Sequence, residues 1–92
     1  LGSLITTQAV DKKLVLYGTS GCHLCELAED FLIQWVSQGW QVELIDIADD
    51  DQLLERFSIM IPVLEHVDSK RLLLWPFDAE ALHGFLADEN LA

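Results

Sequence analysis

The chain has little base. Its 92 residues include 5 Lys and Arg against 16 Asp and Glu, a formal net charge of -11 at pH 7 with histidine neutral. Phosphate backbones and anionic lipid surfaces are held by clustered cations. Lys12, Lys13, Arg56, Lys70 and Arg71 are too few and too scattered for that, so no nucleic-acid and no membrane partner is expected. No apolar run approaches the roughly 20 residues of a membrane-spanning helix. Leu1 to Val10 carries Thr6, Thr7 and Gln8 and no basic segment ahead of an apolar core, so it does not read as a secretory signal. A cytoplasmic location is expected. Cysteine is scarce as well. Cys22 and Cys25 are too few to staple a secreted scaffold and too close in sequence to close a useful structural loop. The pair has to be explained by its chemistry.

Hydrophobic residues make up 51% of the chain and charged residues 23%, a composition with enough apolar surface to offset chain entropy. Ninety-two residues hold one domain, spanning 1–92 with its core over 12–89, and a monomer is expected. Lys13-Leu14-Val15-Leu16-Tyr17 is a nearly continuous apolar run ended by Gly18, the pattern of a central strand covered on both faces. From Cys22 to Gln38, Leu24, Leu27, Ala28, Phe31, Leu32, Trp35 and Val36 recur at three- and four-residue steps, which predicts an amphipathic helix stopped by Gly39. Trp40 to Leu44 alternates, with Ile45 and Ile47 following, and reads as a strand with one half-exposed face.

Strand, helix, strand implies a right-handed parallel crossover. Asp49 with Gln52 resembles a capping box opening a short helix that carries Leu53, Leu54 and Phe57. Ile61-Pro62-Val63-Leu64 and Arg71 to Trp75 flank Asp68-Ser69-Lys70, predicting two antiparallel strands on a short turn. Asp78 can cap a last helix to about Asp88, stapled by Phe77 and Leu82. The order β-α-β-α-β-β-α describes an α/β domain, a mixed four-stranded sheet with three helices on its two faces. This is the core of the thioredoxin fold.

Thiolates, not thiols, attack disulfides, so a redox cysteine needs its pKa drawn down from about 8.5. Ser20-Gly21-Cys22 places the first sulfur at a helix N-terminus, where free N–H groups and the positive end of the helix dipole converge. The small Ser20 and Gly21 leave it accessible. Cys25, one turn on, can close a disulfide with Cys22 and resolve a mixed disulfide. Position therefore makes Cys22 the nucleophile and Cys25 the resolving thiol. Glu26, four residues after Cys22, opposes the thiolate, whereas His23 would favour it when protonated and is otherwise a solvent-exposed residue. A half zinc site lacks a second cysteine pair, since His66 and His83 fall on other elements, and haem attachment would need histidine where Glu26 stands. No metal is expected.

Leu14-Val15-Leu16-Tyr17, Ser20-Gly21-Cys22-His23-Leu24-Cys25 and Ile61-Pro62-Val63-Leu64 together resemble thioredoxins and glutaredoxins over nearly the whole chain. With Trp75-Pro76-Phe77 they are most similar to a bacterial group of short glutaredoxin-like proteins of unassigned cellular role. The resemblance implies disulfide oxidoreductase chemistry on a protein or small-molecule disulfide and a part in cell redox homeostasis. It also implies that Pro62 is a cis proline facing the dithiol and that the backbone of Ile61 pairs with bound substrate. Proline removes one donor beside the sulfurs and leaves Ile61 as an open edge.

Glutaredoxins typically hold glutathione with basic or amide groups around the dithiol and a Gly-rich turn before the last helix. Here Tyr17 to Gly21 contains no base, Trp75-Pro76-Phe77 replaces the glycines, and only Arg56 and Asp78 remain as contacts. No resident cofactor is expected, and glutathione would meet a strongly acidic protein. Thioredoxins usually have Trp before the first cysteine and a buried acid below it, where this chain has Gly21 and an apolar strand. Trp75 is placed at the rim of the site, with Phe77 as a further aromatic surface. Two other readings remain: an interaction module with an idle dithiol, and a dimer holding an iron-sulfur cluster through Cys22 and outside thiols.

Overall fold

The computed structural model describes residues 12–91, with side chains to residue 87. The signal reading of Leu1 to Val10 lies outside the described residues. The elements are β1 (Lys13–Gly18), α1 (His23–Val36), β2 (Gln41–Asp46), a short 3-10 turn (Ile47–Asp49), α2 (Asp51–Phe57), β3 (Val63–His66), β4 (Leu72–Leu74) and α3 (Ala79–Leu91). The sheet runs β2-β1-β3-β4. β1 is parallel to β2 and antiparallel to β3, and β3 is antiparallel to β4. This is the mixed four-stranded thioredoxin-like architecture that the element order predicts.

β1 reads as a continuous apolar run because it is buried on both sides. Leu14 and Leu16 join Ala28, Leu32 and Trp35 of α1 and Leu82, Phe85 and Leu86 of α3 in one core. Val15 and Tyr17 point the other way, into a smaller core with Ile47, Phe57 of α2 and Val63. The period of two along the strand thus divides four consecutive residues between two helix layers.

The structure departs from the sequence pattern in several places. α1 buries a narrower stripe than its apolar residues suggest: Cys25, Ala28, Leu32 and Trp35 are buried, whereas Leu24, Leu27 and Val36 are exposed. It also ends at Val36, where the Ser37 hydroxyl donates to the Gln34 carbonyl at 2.6 Å, ahead of the turn through Gly39. β2 is more exposed than an alternating strand implies because it sits at the sheet edge. The cap of α2 is Asp50, not Asp49. Its carboxylate accepts the N–H groups of Gln52 and Leu53 at 2.8 and 3.2 Å, because Ile47–Asp49 is taken up by the 3-10 turn.

Asp78 does cap α3, accepting the Ala81 N–H at 2.8 Å, with Phe77 and Leu82 buried beside it. The β3–β4 turn is held by His66, whose buried ring nitrogen Nδ1 accepts the Ser69 N–H at 3.2 Å. Among the described residues no helix is long and apolar enough to cross a membrane.

Tyr17, the single tyrosine of the chain, lies against the Phe57 ring at a centroid distance of 4.7 Å and donates its hydroxyl to Glu65 Oε1 at 2.6 Å. Burial, then the hydrogen bond and charge of Glu65, push its pKa from 10.0 up to about 12. The unfolded chain ionises this phenol first, so its contribution to stability is complete below pH 10 and is lost as the pH rises towards 12. Tyrosinate absorbance reads this residue alone. Half-ionisation is expected near pH 12 in the folded protein, and Glu65→Gln should bring it down towards the ordinary value. An unshifted titration in both proteins would contradict the assignment.

Candidate functional site

The site begins where β1 ends. Gly18 closes the strand, Thr19 to Gly21 turn, and the Cys22 N–H donates to the Thr19 carbonyl at 3.3 Å. Gly21 has φ +80°, a left-handed conformation that costs a side-chain-bearing residue free energy. Cys22 is then the N-cap of α1: its backbone is extended, and its sulfur accepts the Cys25 N–H at 3.1 Å. A helix start normally satisfies its free N–H groups with a Ser, Thr or Asp oxygen. Here the half-buried Cys22 sulfur fills that role, and a negative sulfur fills it better than a neutral one.

Cys25 is 4% exposed and bonded to Cys22 in a disulfide, with the two Cα atoms 5.2 Å apart. It lies against the end of β1. A Cβ placed on Gly18 would come within 2.8 Å of the Cys25 sulfur and 3.1 Å of its Cβ, so only glycine leaves room for the second cysteine. On one flank β1 pairs with β2 up to Gly18 opposite Asp46. The Asp46 carboxylate accepts the Ala48 N–H at 2.9 Å, and that bond, then the nearby Thr19 side chain and Ser20 backbone, hold its pKa below the ordinary 3.8. Asp46 thereby sets the end of β2 beside the loop before Cys22. A cleft of about 220 Å³ opens here, its walls including Gly18, Ser20, Cys25, Glu29, Leu44 and Asp46.

On the other flank Tyr17 pairs with Val63, so Ile61 and Pro62 precede β3 at the same end of the sheet as the dithiol loop. The Ile61–Pro62 peptide bond is cis, as is Trp75–Pro76. Pro62 is fully buried, and Ile61 packs against the α2-side core. The Ile61 N–H is given to the Phe57 carbonyl at 3.2 Å. Ser20, Gly21 and His23 are exposed around the sulfurs.

Neither Arg56 nor Asp78, the two sequence candidates for holding glutathione, lines the cleft at Cys25: the exposed Arg56 guanidinium lies over the Phe57 ring at 4.5 Å, and the Asp78 carboxylate caps α3. Phe77 is 5% exposed and belongs to the core, so it offers no aromatic surface to a ligand. Trp75 packs on the Phe77 ring at 5.0 Å and on Phe31 at 6.4 Å. Sequence reasoning missed Gly18 and Asp46. The signals available were a glycine ending the central strand four residues before the first cysteine and an aspartate two residues before Ala48, the spacing of an Asx turn.

A family model described as "Glutaredoxin-like domain (DUF836)" matches residues 13–87. Among solved structures, the X-ray structure of protein XcR50 from X. campestris is 35% identical, covers 82% of this chain and 96% of its own, and superposes with a TM-score of 0.73. The solution structure of protein Ne2328 from Nitrosomonas europaea is 29% identical and covers 79% of this chain and 88% of its own, with a TM-score of 0.68. No curated protein matches the sequence.

Gly18→Ala is expected to destabilise the protein by about 1–3 kcal/mol in denaturant titrations, the usual cost of overpacking. Combined with Cys25→Ala, which removes the sulfur it meets, the cost should fall below about 1 kcal/mol; equal costs in both backgrounds would contradict the contact. Asp46→Ala should speed hydrogen exchange at the Ala48 amide while leaving Leu14 unchanged. Because the Asp46 pKa is depressed, the bond it accepts is complete above pH 3.8 and is lost as the pH falls through its lowered value. The Ala48 amide should therefore loosen in acid.

Proposed function

Because the chain belongs to the glutaredoxin-like (DUF836) domain family, we propose that it is a thiol–disulfide oxidoreductase working through Cys22 and Cys25. One observation carries the reading: the Cys22 sulfur caps α1 and accepts the Cys25 N–H at 3.1 Å, with the partner cysteine within bonding reach. A helix N-terminus favours the thiolate that exchange requires.

In the reduced protein the Cys22 thiolate attacks one sulfur of a substrate disulfide. A Cys22–substrate bond forms, the substrate S–S bond breaks, and the second substrate sulfur leaves as a thiolate that takes a proton from solvent. Cys25 loses its proton and attacks the Cys22 sulfur, forming the Cys22–Cys25 bond and expelling the remaining substrate sulfur. Two electrons pass from the dithiol to the substrate. An external dithiol of suitable potential, or two thiols in succession, returns them by the reverse exchange and leaves as a disulfide.

The substrate is a protein or small-molecule disulfide, engaged at Ser20, Gly21 and His23 and along Ile61-Pro62. Pro62 carries no N–H, and the Ile61 N–H is already bonded to Phe57, so the Ile61 carbonyl is the backbone group for docking. The chain acts as a single copy in the cytoplasm, without a resident cofactor. Glutathione is disfavoured as a specific ligand because neither Arg56 nor Asp78 lines the cleft at Cys25 and the net charge of -11 repels an anionic tripeptide.

Equilibration of the purified protein with thiol–disulfide buffers should give a two-electron potential between about -270 and -200 mV. Cys22→Ser should abolish disulfide reduction. Cys25→Ser should still attack and accumulate a mixed disulfide visible by mass spectrometry. A dithiol that does not cycle in this window would leave the chain an interaction module on the same fold, and activity that survives Cys22→Ser would overturn Cys22 as the nucleophile.

A further inference from the structure

The dithiol cleft continues into a second one. Glu29 and Leu44 line both the cleft at Cys25 and a neighbouring apolar groove of about 240 Å³ whose other walls are Asp30, Leu32, Ile33, Val36 and Val42. Shared walls join the two into one trough that runs from Cys25 between α1 and β2. The strand register explains its apolar floor. Val42 and Leu44 stand opposite Leu14 and Leu16, which belong to the α1-side core, and cross-strand neighbours point to the same face. Yet Leu44 is 57%, Ile33 64% and Val36 50% exposed, because α1 does not reach over the edge strand. Among the described residues the outer edge of β2 carries no partner strand, so its backbone is open to strand addition. Glu29, Asp30 and Asp46 border the trough.

We propose that this trough docks an extended segment of the substrate polypeptide whose trough-facing side chains, at every second position, are apolar and Lys or Arg in turn, and which leads its disulfide to Cys22. The proposal rests on reading the dithiol as an exchanging pair. Charge selects the occupant. A second copy would bring its own net charge of -11 and the same acidic border to the contact, and the first ten residues of the chain contain no Lys or Arg to meet that border. A basic, apolar strand satisfies the acids, the apolar floor and the open backbone edge together, and opposite charge also speeds encounter.

The test uses the full chain with Cys22→Ser and Cys25→Ser, so that binding is read apart from exchange. It is titrated with a short peptide that carries Leu and Lys in turn at every second position, with Thr between them, and with the same peptide carrying Glu for Lys, while amide resonances are followed. The Lys peptide is expected to shift the amides of β2 and of Asp30 to Val36, to bind about tenfold or more tightly than the Glu peptide, and to weaken with salt. Adding Ile33→Lys with Leu44→Lys, both at exposed positions, should weaken it about tenfold.

Equal binding of the two peptides, or shifts confined to β4, would overturn the trough. So would self-association of the free chain through the same amides, or cross-relaxation between the first eleven residues and Leu44. Exchange of the unaltered dithiol with a small symmetrical disulfide is measured separately. If it exchanges and neither peptide binds, the trough alone fails; if the Lys peptide binds and the dithiol does not exchange, the assignment of that peptide as substrate fails.

Discussion

The hydrogen bond from the Cys25 N–H to the Cys22 sulfur joins the fold of this protein to its chemistry. A helix start leaves N–H groups without partners, and most proteins satisfy them with an oxygen. Using sulfur makes the group that caps α1 the same group that can attack a disulfide. Whatever fixes the first turn of α1 therefore fixes the position of the Cys22 sulfur. Gly21 supplies the left-handed step into the cap, Asp46 stands beside Thr19 and Ser20, and Gly18 leaves space for Cys25 beneath.

That arrangement depends in turn on β1 being buried from both sides. Leu14 and Leu16 meet α1 and α3, while Val15 and Tyr17 meet α2. The strand is thereby held in the middle of the sheet, with β2 and β3 on its two edges, and its C-terminal end delivers the chain into the dithiol loop. Asp46 arrives from β2 on one flank and Ile61-Pro62 precede β3 on the other. A buried parallel pair beside an antiparallel one brings three distant stretches of sequence to one end of the sheet.

The surface is asymmetric for the same reason. Four strands covered by three short helices leave an edge strand with α1 only partly over it, so apolar side chains that complete no core remain on α1 and β2. Their exposure beside Glu29, Asp30 and Asp46 gives this face an apolar floor with an acidic border, and it starts at the buried cysteine.

Much of this was legible in the sequence because it follows from local chemistry. The apolar run of β1, the three- and four-residue steps of α1, the Asp78 cap with its Phe77–Leu82 staple and the spacing of Cys22 and Cys25 each depend on neighbours a few residues away. They determined the element order, the fold and the pair of sulfurs. The sequence pattern overstated the buried face of α1 and placed the α2 cap at Asp49, since burial depends on which helix reaches over which strand and the 3-10 turn displaces the cap by one residue. Only the tertiary structure decided that the glycine ending β1 must admit a sulfur, that Asp46 comes beside Thr19 and Ser20, and that Val15 and Tyr17 pack with Ile47, Phe57 and Val63. Those contacts join residues far apart in the chain, where no local periodicity or propensity carries information; they exist only once the strands have taken their register.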